Sequence, residues 1–102
     1  MIPIVKDNIQ QIKNLCETHQ VEALYLFGSA AKGLSKKNSD LDFLVRFSDS
    51  VDLLDYADNY FDLLGKLQKL FNRDIDLVSE RSLKNPVLIQ EINKSKISLY
   101  EH

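Results

Sequence analysis

Apolar residues recur at Val5, Ile9, Ile12 and Cys16, with Leu15 alongside, so the stretch from Pro3 to His19 reads as one amphipathic helix. Pro3 suits its first turn and His19 its last, where a cationic ring would meet the C-terminal dipole. Val21 to Phe27 is a nearly unbroken apolar run, the pattern of a buried strand. Ala30 to Lys32 allows a single helical turn, ended by Gly33, and Lys36-Lys37-Asn38-Ser39 reads as an exposed loop. Leu41 to Phe47 alternates as a second strand, with Leu41, Phe43, Val45 and Phe47 on one face and Asp40 and Asp42 on the other.

The longest helix is expected over about residues 51–71, with N-cap candidates in Ser48-Asp49-Ser50. Its core stripe is read as Leu53, Ala57, Tyr60, Leu64, Leu67 and Phe71, opposite an acidic ridge of Asp55, Asp58 and Asp62 with an Asp62–Lys66 pair. That ridge is either a solvated face or a surface for a partner. Arg73 to Val78 predicts a third strand, Asn85-Pro86 the start of another helix, and Ile97 to Tyr100 a short closing strand. The order predicts a small α/β (α+β) fold: a mixed sheet of three to four strands flanked by helices, in one domain over residues 1–102.

The bulk numbers narrow the class of protein. A net charge of −2 offers no basic field for direct nucleic-acid binding. No apolar run approaches membrane-spanning length, and the N-terminus lacks a signal-peptide pattern. The single cysteine, Cys16, falls on the apolar helix face and reads as core packing, which suits a reducing, cytoplasmic setting.

The chemistry concentrates between Leu26 and Val45. Gly28 permits a close backbone approach, Ser29 supplies a hydroxyl, and a helix starting there would turn N–H groups toward an anion. Asp40 and Asp42 share a strand face with Cα atoms roughly 6.5–7 Å apart, where two carboxylates can grip a divalent metal. A short connection should place Gly28-Ser29 beside them. Asp74 and Asp76 repeat the alternation on a strand expected to be a neighbour, and that many carboxylates on one face repel unless metal or protons offset them. Other layouts fail: there is no Gly-x-Ser-x-Gly elbow, no zinc-spaced Cys/His cluster and no Walker ending after Gly33.

Gly28-Ser29, ten residues, then Asp40-Leu41-Asp42 resembles the signature of the DNA polymerase beta-like nucleotidyltransferase superfamily. At this length the whole chain is similar to the minimal nucleotidyltransferases, many of them antitoxins of HEPN toxins. The resemblance implies nucleotide binding by Gly28, Ser29 and Lys32, and Mg²⁺ held by Asp40, Asp42 and a third acid that matches Asp76. Lys32 stands where the family often carries Arg, so a point charge replaces a bidentate fork. The implied reaction is transfer of AMP from ATP to a hydroxyl on a partner, a tyrosine of a HEPN-type toxin. A non-catalytic antitoxin acting by occlusion is the alternative, and association with itself or with the partner stays open. A small-molecule acceptor lacks any region to recognise it.

Overall fold

The computed structural model describes residues 2–34 and 40–102. The expected loop at Lys36 to Ser39 lies outside the described residues. The elements run α1 (Pro3–Asp7), α2 (Ile9–Thr18), β1 (Val21–Phe27), α3 (Gly28–Ala31), β2 (Leu41–Phe47), α4 (Leu53–Phe71), β3 (Ile75–Ser79), α5 (Pro86–Ser95) and β4 (Ile97–Glu101). A short 3₁₀ turn, Glu80–Ser82, links β3 to α5.

The four strands form one sheet in the order β3-β2-β1-β4. β1 pairs antiparallel with both β2 and β4, whereas β2 and β3 run parallel. That parallel pair requires a crossover, and α4 supplies it. α1, α2 and α4 cover one face over a core that includes Val5, Ile12, Leu24, Leu26, Phe43, Val45, Leu63, Leu67 and Phe71. α5 lies on the other face, where Ile92 packs with Ala23, Tyr25 and Leu44. A register shift between Val21 and Ala23 lets Val21 and Leu24 reach the same core although they are three residues apart.

The N-terminal helix is two helices. At Asn8 the backbone leaves helical geometry, and its side-chain amide donates to the Ile4 carbonyl at 2.8 Å. An Asn amide that offers the backbone an alternative partner is a recognised helix interrupter. His19 does meet the last carbonyls of α2, donating from Nδ1 to Leu15 O at 2.7 Å, but it is buried rather than exposed. Its Nε2 lies 2.6 Å from Asp62 Oδ2, and Lys66 reaches the same oxygen at 2.9 Å. One member of the acidic ridge therefore fastens α4 to α2. Burial pushes the Cys16 thiol up to about 12, as expected of a packing residue.

α4 starts later and turns differently from the sequence expectation. Its N-cap is Asp52, without a side-chain cap bond, while Ser48 and Ser50 bond each other in the preceding turn. Leu53 is 77% exposed and Ala57 is also exposed, so neither belongs to the core stripe. Leu63, Leu67 and Phe71 are the buried positions, with Tyr56, Tyr60, Leu64 and Leu70 half-buried beside them. At this end of the helix the contact with the core is made by Val51 and Tyr56 instead, Tyr56 edge-on to Phe47. By contrast α5 begins as its sequence indicates: the Asn85 side chain accepts from the Val87 and Leu88 N–H groups and Pro86 occupies the first turn.

Candidate active site

Alternation along β2 sends Leu41, Phe43 and Val45 into the main core and leaves Asp42, Leu44 and Arg46 on the α5 side. The parallel register places Asp42 directly opposite Asp76 of β3. On the other flank Asp42 pairs with Phe27, the last residue of β1, so the turn that follows β1 arrives beside it. Asp40 sits exposed just before β2. Leu41 N–H donates to Asp74 O at 3.2 Å, which holds the strand entrances together and leaves Asp74 ahead of β3 rather than within it.

The turn after β1 is tight. Gly28 has φ +71° and opens α3, whose four residues end before Lys32 and Gly33, the latter at φ +75°. A Cβ on Gly28 would lie 2.6 Å from Asp42 Oδ2. Glycine is thus required twice, by the left-handed backbone and by the carboxylate packed against its Cα. Ser29 and Lys32 are exposed on the following turn, Lys32 as its C-cap.

Electrostatics tie the acids into one unit. Burial, the charge of Asp76, the charge of Asp40 and a hydrogen bond with Asp76 together push the Asp42 carboxyl up to about 6 from 3.8. A hydrogen bond between two carboxyls needs a proton on one of them, so the arrangement holds more negative charge than it can keep in water alone. The Tyr60 hydroxyl, which donates to Leu77 O from α4, is also raised, by burial first and then by Asp76 and Tyr56. Among the described residues no group of three or more His, Cys, Asp or Glu makes a ready cage for an ion. What stands there is a pair of facing carboxylates, a third at the strand entrance, and a glycine turn against the pair. Hard oxygen donors and excess negative charge are what a divalent cation bound to a phosphate ester would meet.

Residues 10–102 match the family described as polymerase beta, nucleotidyltransferase. The chain belongs to this nucleotidyltransferase family. The protein adenylyltransferase MntA of Thermococcus cleftensis is 35% identical over 75 residues, which cover 74% of this chain and 72% of that one. A chain from the crystal structure of a toxin–antitoxin with AMP-PNP superposes with a TM-score of 0.72 at 30% identity, covering 93% of this chain and 74% of that chain. A chain from the tri-AMPylated Shewanella oneidensis HEPN toxin in complex with MNT antitoxin gives a TM-score of 0.66 at 26% identity, with coverages of 95% and 72%.

The nucleotidyltransferase fold also brings up residues that sequence reasoning passed over. Ser95, at the end of α5, accepts a hydrogen bond through Oγ from the Gly28 N–H at 3.2 Å. Lys96 follows it and holds its ammonium 4.6 Å from the centroid of the Tyr25 ring, against the sheet face that carries Asp42. Neither belongs to a motif, and the Ser95 partner is 67 residues away. No pattern along the chain announces such a contact.

Proposed function

We propose that this nucleotidyltransferase is the antitoxin of a toxin–antitoxin pair, a cytoplasmic protein that transfers AMP from ATP to a tyrosine hydroxyl of a HEPN-type toxin. The observation that carries the reading is the Asp42–Asp76 pair packed against Gly28, in a chain of this family. No helix among the described residues is long and apolar enough to cross a membrane.

The donor set fits Mg²⁺. Asp40, Asp42 and Asp76 supply only carboxylate oxygens, and the Asp42 carboxyl is raised by burial and then by the charges of Asp76 and Asp40, costs that a divalent ion would offset. When bound, Mg²⁺ would neutralise charge on the phosphate oxygens. The remaining roles fall to the chain itself. The α3 turn, with Gly28, Ser29 and Lys32, holds the pyrophosphate side of ATP, Lys32 as a point charge. Asp76, exposed on the edge strand, faces an incoming acceptor and accepts the proton of its hydroxyl. The acceptor oxygen forms a bond to the α-phosphorus as the bond to pyrophosphate breaks, and pyrophosphate leaves with the charge. Exposure of Ser29, Asp40 and Asp76 leaves the site open to a macromolecular acceptor.

Intact-mass spectrometry of the toxin after incubation with this protein and ATP tests the assignment. One or more added AMP units are expected, and none with Asp42→Asn. A toxin silenced in a stable complex yet unchanged in mass would instead establish occlusion.

A further inference from the structure

The turn after β1 is held from a direction that its own motif does not supply. β1 and β4 run antiparallel with Leu26 opposite Ile97. Continuing that register by two residues would set Gly28 opposite Ser95, but there the chain is still in α5, whose last helical residue is Ser95. The Ser95 side chain takes the place of a strand partner, its Oγ accepting from the Gly28 N–H at 3.2 Å. Serines on helices commonly turn their hydroxyls back on a carbonyl of the preceding turn. Ser95 reaches out of its helix, to a residue 67 positions away. Gly28 is thereby gripped at three points: Ser95 holds its N–H, the Lys32 N–H donates to its carbonyl at 3.3 Å, and Asp42 Oδ2 crowds its Cα. A glycine has more backbone freedom than any other residue, so its place in the site has to be imposed from outside. Because both the carboxylate and the turn bear on Gly28, where it stands sets the distance between them.

We propose that Ser95 is a positioning residue for AMP transfer: by holding the Gly28 N–H it fixes the turn that takes the phosphates against the acid Asp42. The inference rests on the adenylyltransferase reading above. In that reading the pyrophosphate side of ATP is held by the turn and the α-phosphorus stands at the acids, so one substrate is gripped from both. A turn that drifts leaves each grip intact but misaligns acceptor, phosphorus and leaving group. A misplacement of about 1 Å can cost on the order of 10²-fold in rate. The loss is therefore expected in kcat rather than in KM. Ser95 acts through Gly28 and needs no contact with ATP.

Ser95→Ala, which a helix accepts readily, tests this beside Ser95→Thr, which keeps a hydroxyl. Steady-state AMP transfer from ATP with Mg²⁺ to the HEPN-type toxin gives kcat and KM, and amide exchange followed by NMR reads the Gly28 bond directly. In Ser95→Ala, kcat is expected to fall about tenfold or more while KM for ATP stays within about twofold. Exchange at Gly28 should quicken about tenfold while that of Ile92, in the body of α5, stays within about twofold, which certifies that the helix is in place. Ser95→Thr should restore both. A Ser95→Ala protein with parental kcat, whatever its Gly28 exchange, confines the bond to stability and overturns the proposal. So does a rise in KM at constant kcat, which would make Ser95 a ligand of ATP, and so does unchanged exchange at Gly28. If Ser95→Thr is as slow as Ser95→Ala, the hydroxyl is not the positioning group and the proposal falls equally. Failure of the unaltered protein to transfer AMP at all overturns the adenylyltransferase reading itself.

Discussion

Asp42 packs so closely on Gly28 that the glycine has no room for a side chain: an added Cβ would stand 2.6 Å from the carboxylate oxygen. Gly28→Ala therefore meets two costs at once, the positive φ and the collision. We expect a loss of about 1–2 kcal/mol from the backbone alone, read as a lower urea midpoint. Adding Asp42→Ala removes the colliding oxygen, so the double variant should be more stable than the two single effects summed predict. Strict additivity would show that the contact does not constrain the turn.

Asp42→Asn should make the protein inactive and more stable. The folded Asp42 holds its proton more tightly than an unfolded Asp does, up to about 6 against 3.8. Folded molecules thus bind more protons between those values, and stability falls as pH rises through that window. The burden is complete above about pH 6 and absent below about pH 4. Because the side chain is partly exposed, the gain from Asn is discounted to on the order of 1 kcal/mol, a Tm rise of about 4–8 °C. Thermal melts of both proteins at pH 7.5 and pH 3.5, without divalent ions, check it: the gap should appear only at the higher pH.

Asp76→Asn should lower AMP transfer by several orders of magnitude, whereas Asp74→Asn should leave most of it. Only Asp76 stands within β3 opposite Asp42; Asp74 precedes the strand and contributes its carbonyl to Leu41 N–H. Single-turnover rates of the two variants decide the order, and the reverse order would assign the third acid wrongly.

Asp62 behaves in the opposite sense to Asp42. Hydrogen bonds from Lys66 and then His19 hold its carboxyl below the ordinary 3.8. Its contribution is present above that value and is lost as pH falls through the lower folded one. Asp62→Asn should consequently unfold more readily than the parent at pH 6, with the difference shrinking below pH 3.8. Urea midpoints across that range measure it, and a difference constant with pH would exclude the ionic origin.

The N-cap of α5 offers a plain stability test. Asn85→Ala removes the acceptor for two backbone N–H groups and should cost about 1 kcal/mol. Since Ile92 of the same helix packs on Ala23, Tyr25 and Leu44, amide exchange in α5 should quicken more than in α2.

The strands, their order of appearance and the meeting of Gly28 with Asp42 could be read from the sequence, because alternation and a short connection leave few choices. The family signature pointed to Asp76 as the third acid, and the parallel register sets that residue opposite Asp42. The phase of α4 could not be read, since leucines at 53, 54, 63, 64, 67 and 70 spread over too much of the helix to define one face. Only the tertiary packing decides that Leu63 is covered and Leu53 is not. The break at Asn8 rests on one side-chain amide, and the burial of His19 on a carboxylate 43 residues distant. Pattern reading is blind to both.

The crossover through α4 has a kinetic meaning. Asp42 and Asp76 are 34 residues apart in the chain, and a parallel pair cannot zip from a hairpin, so that loop must close before either acid finds the other. The two acids thus meet only across a loop that contains α4, whose Leu63, Leu67 and Phe71 are buried against the sheet. Local opening of the β2–β3 pairing would separate the two charges and take apart the chemistry in the same event.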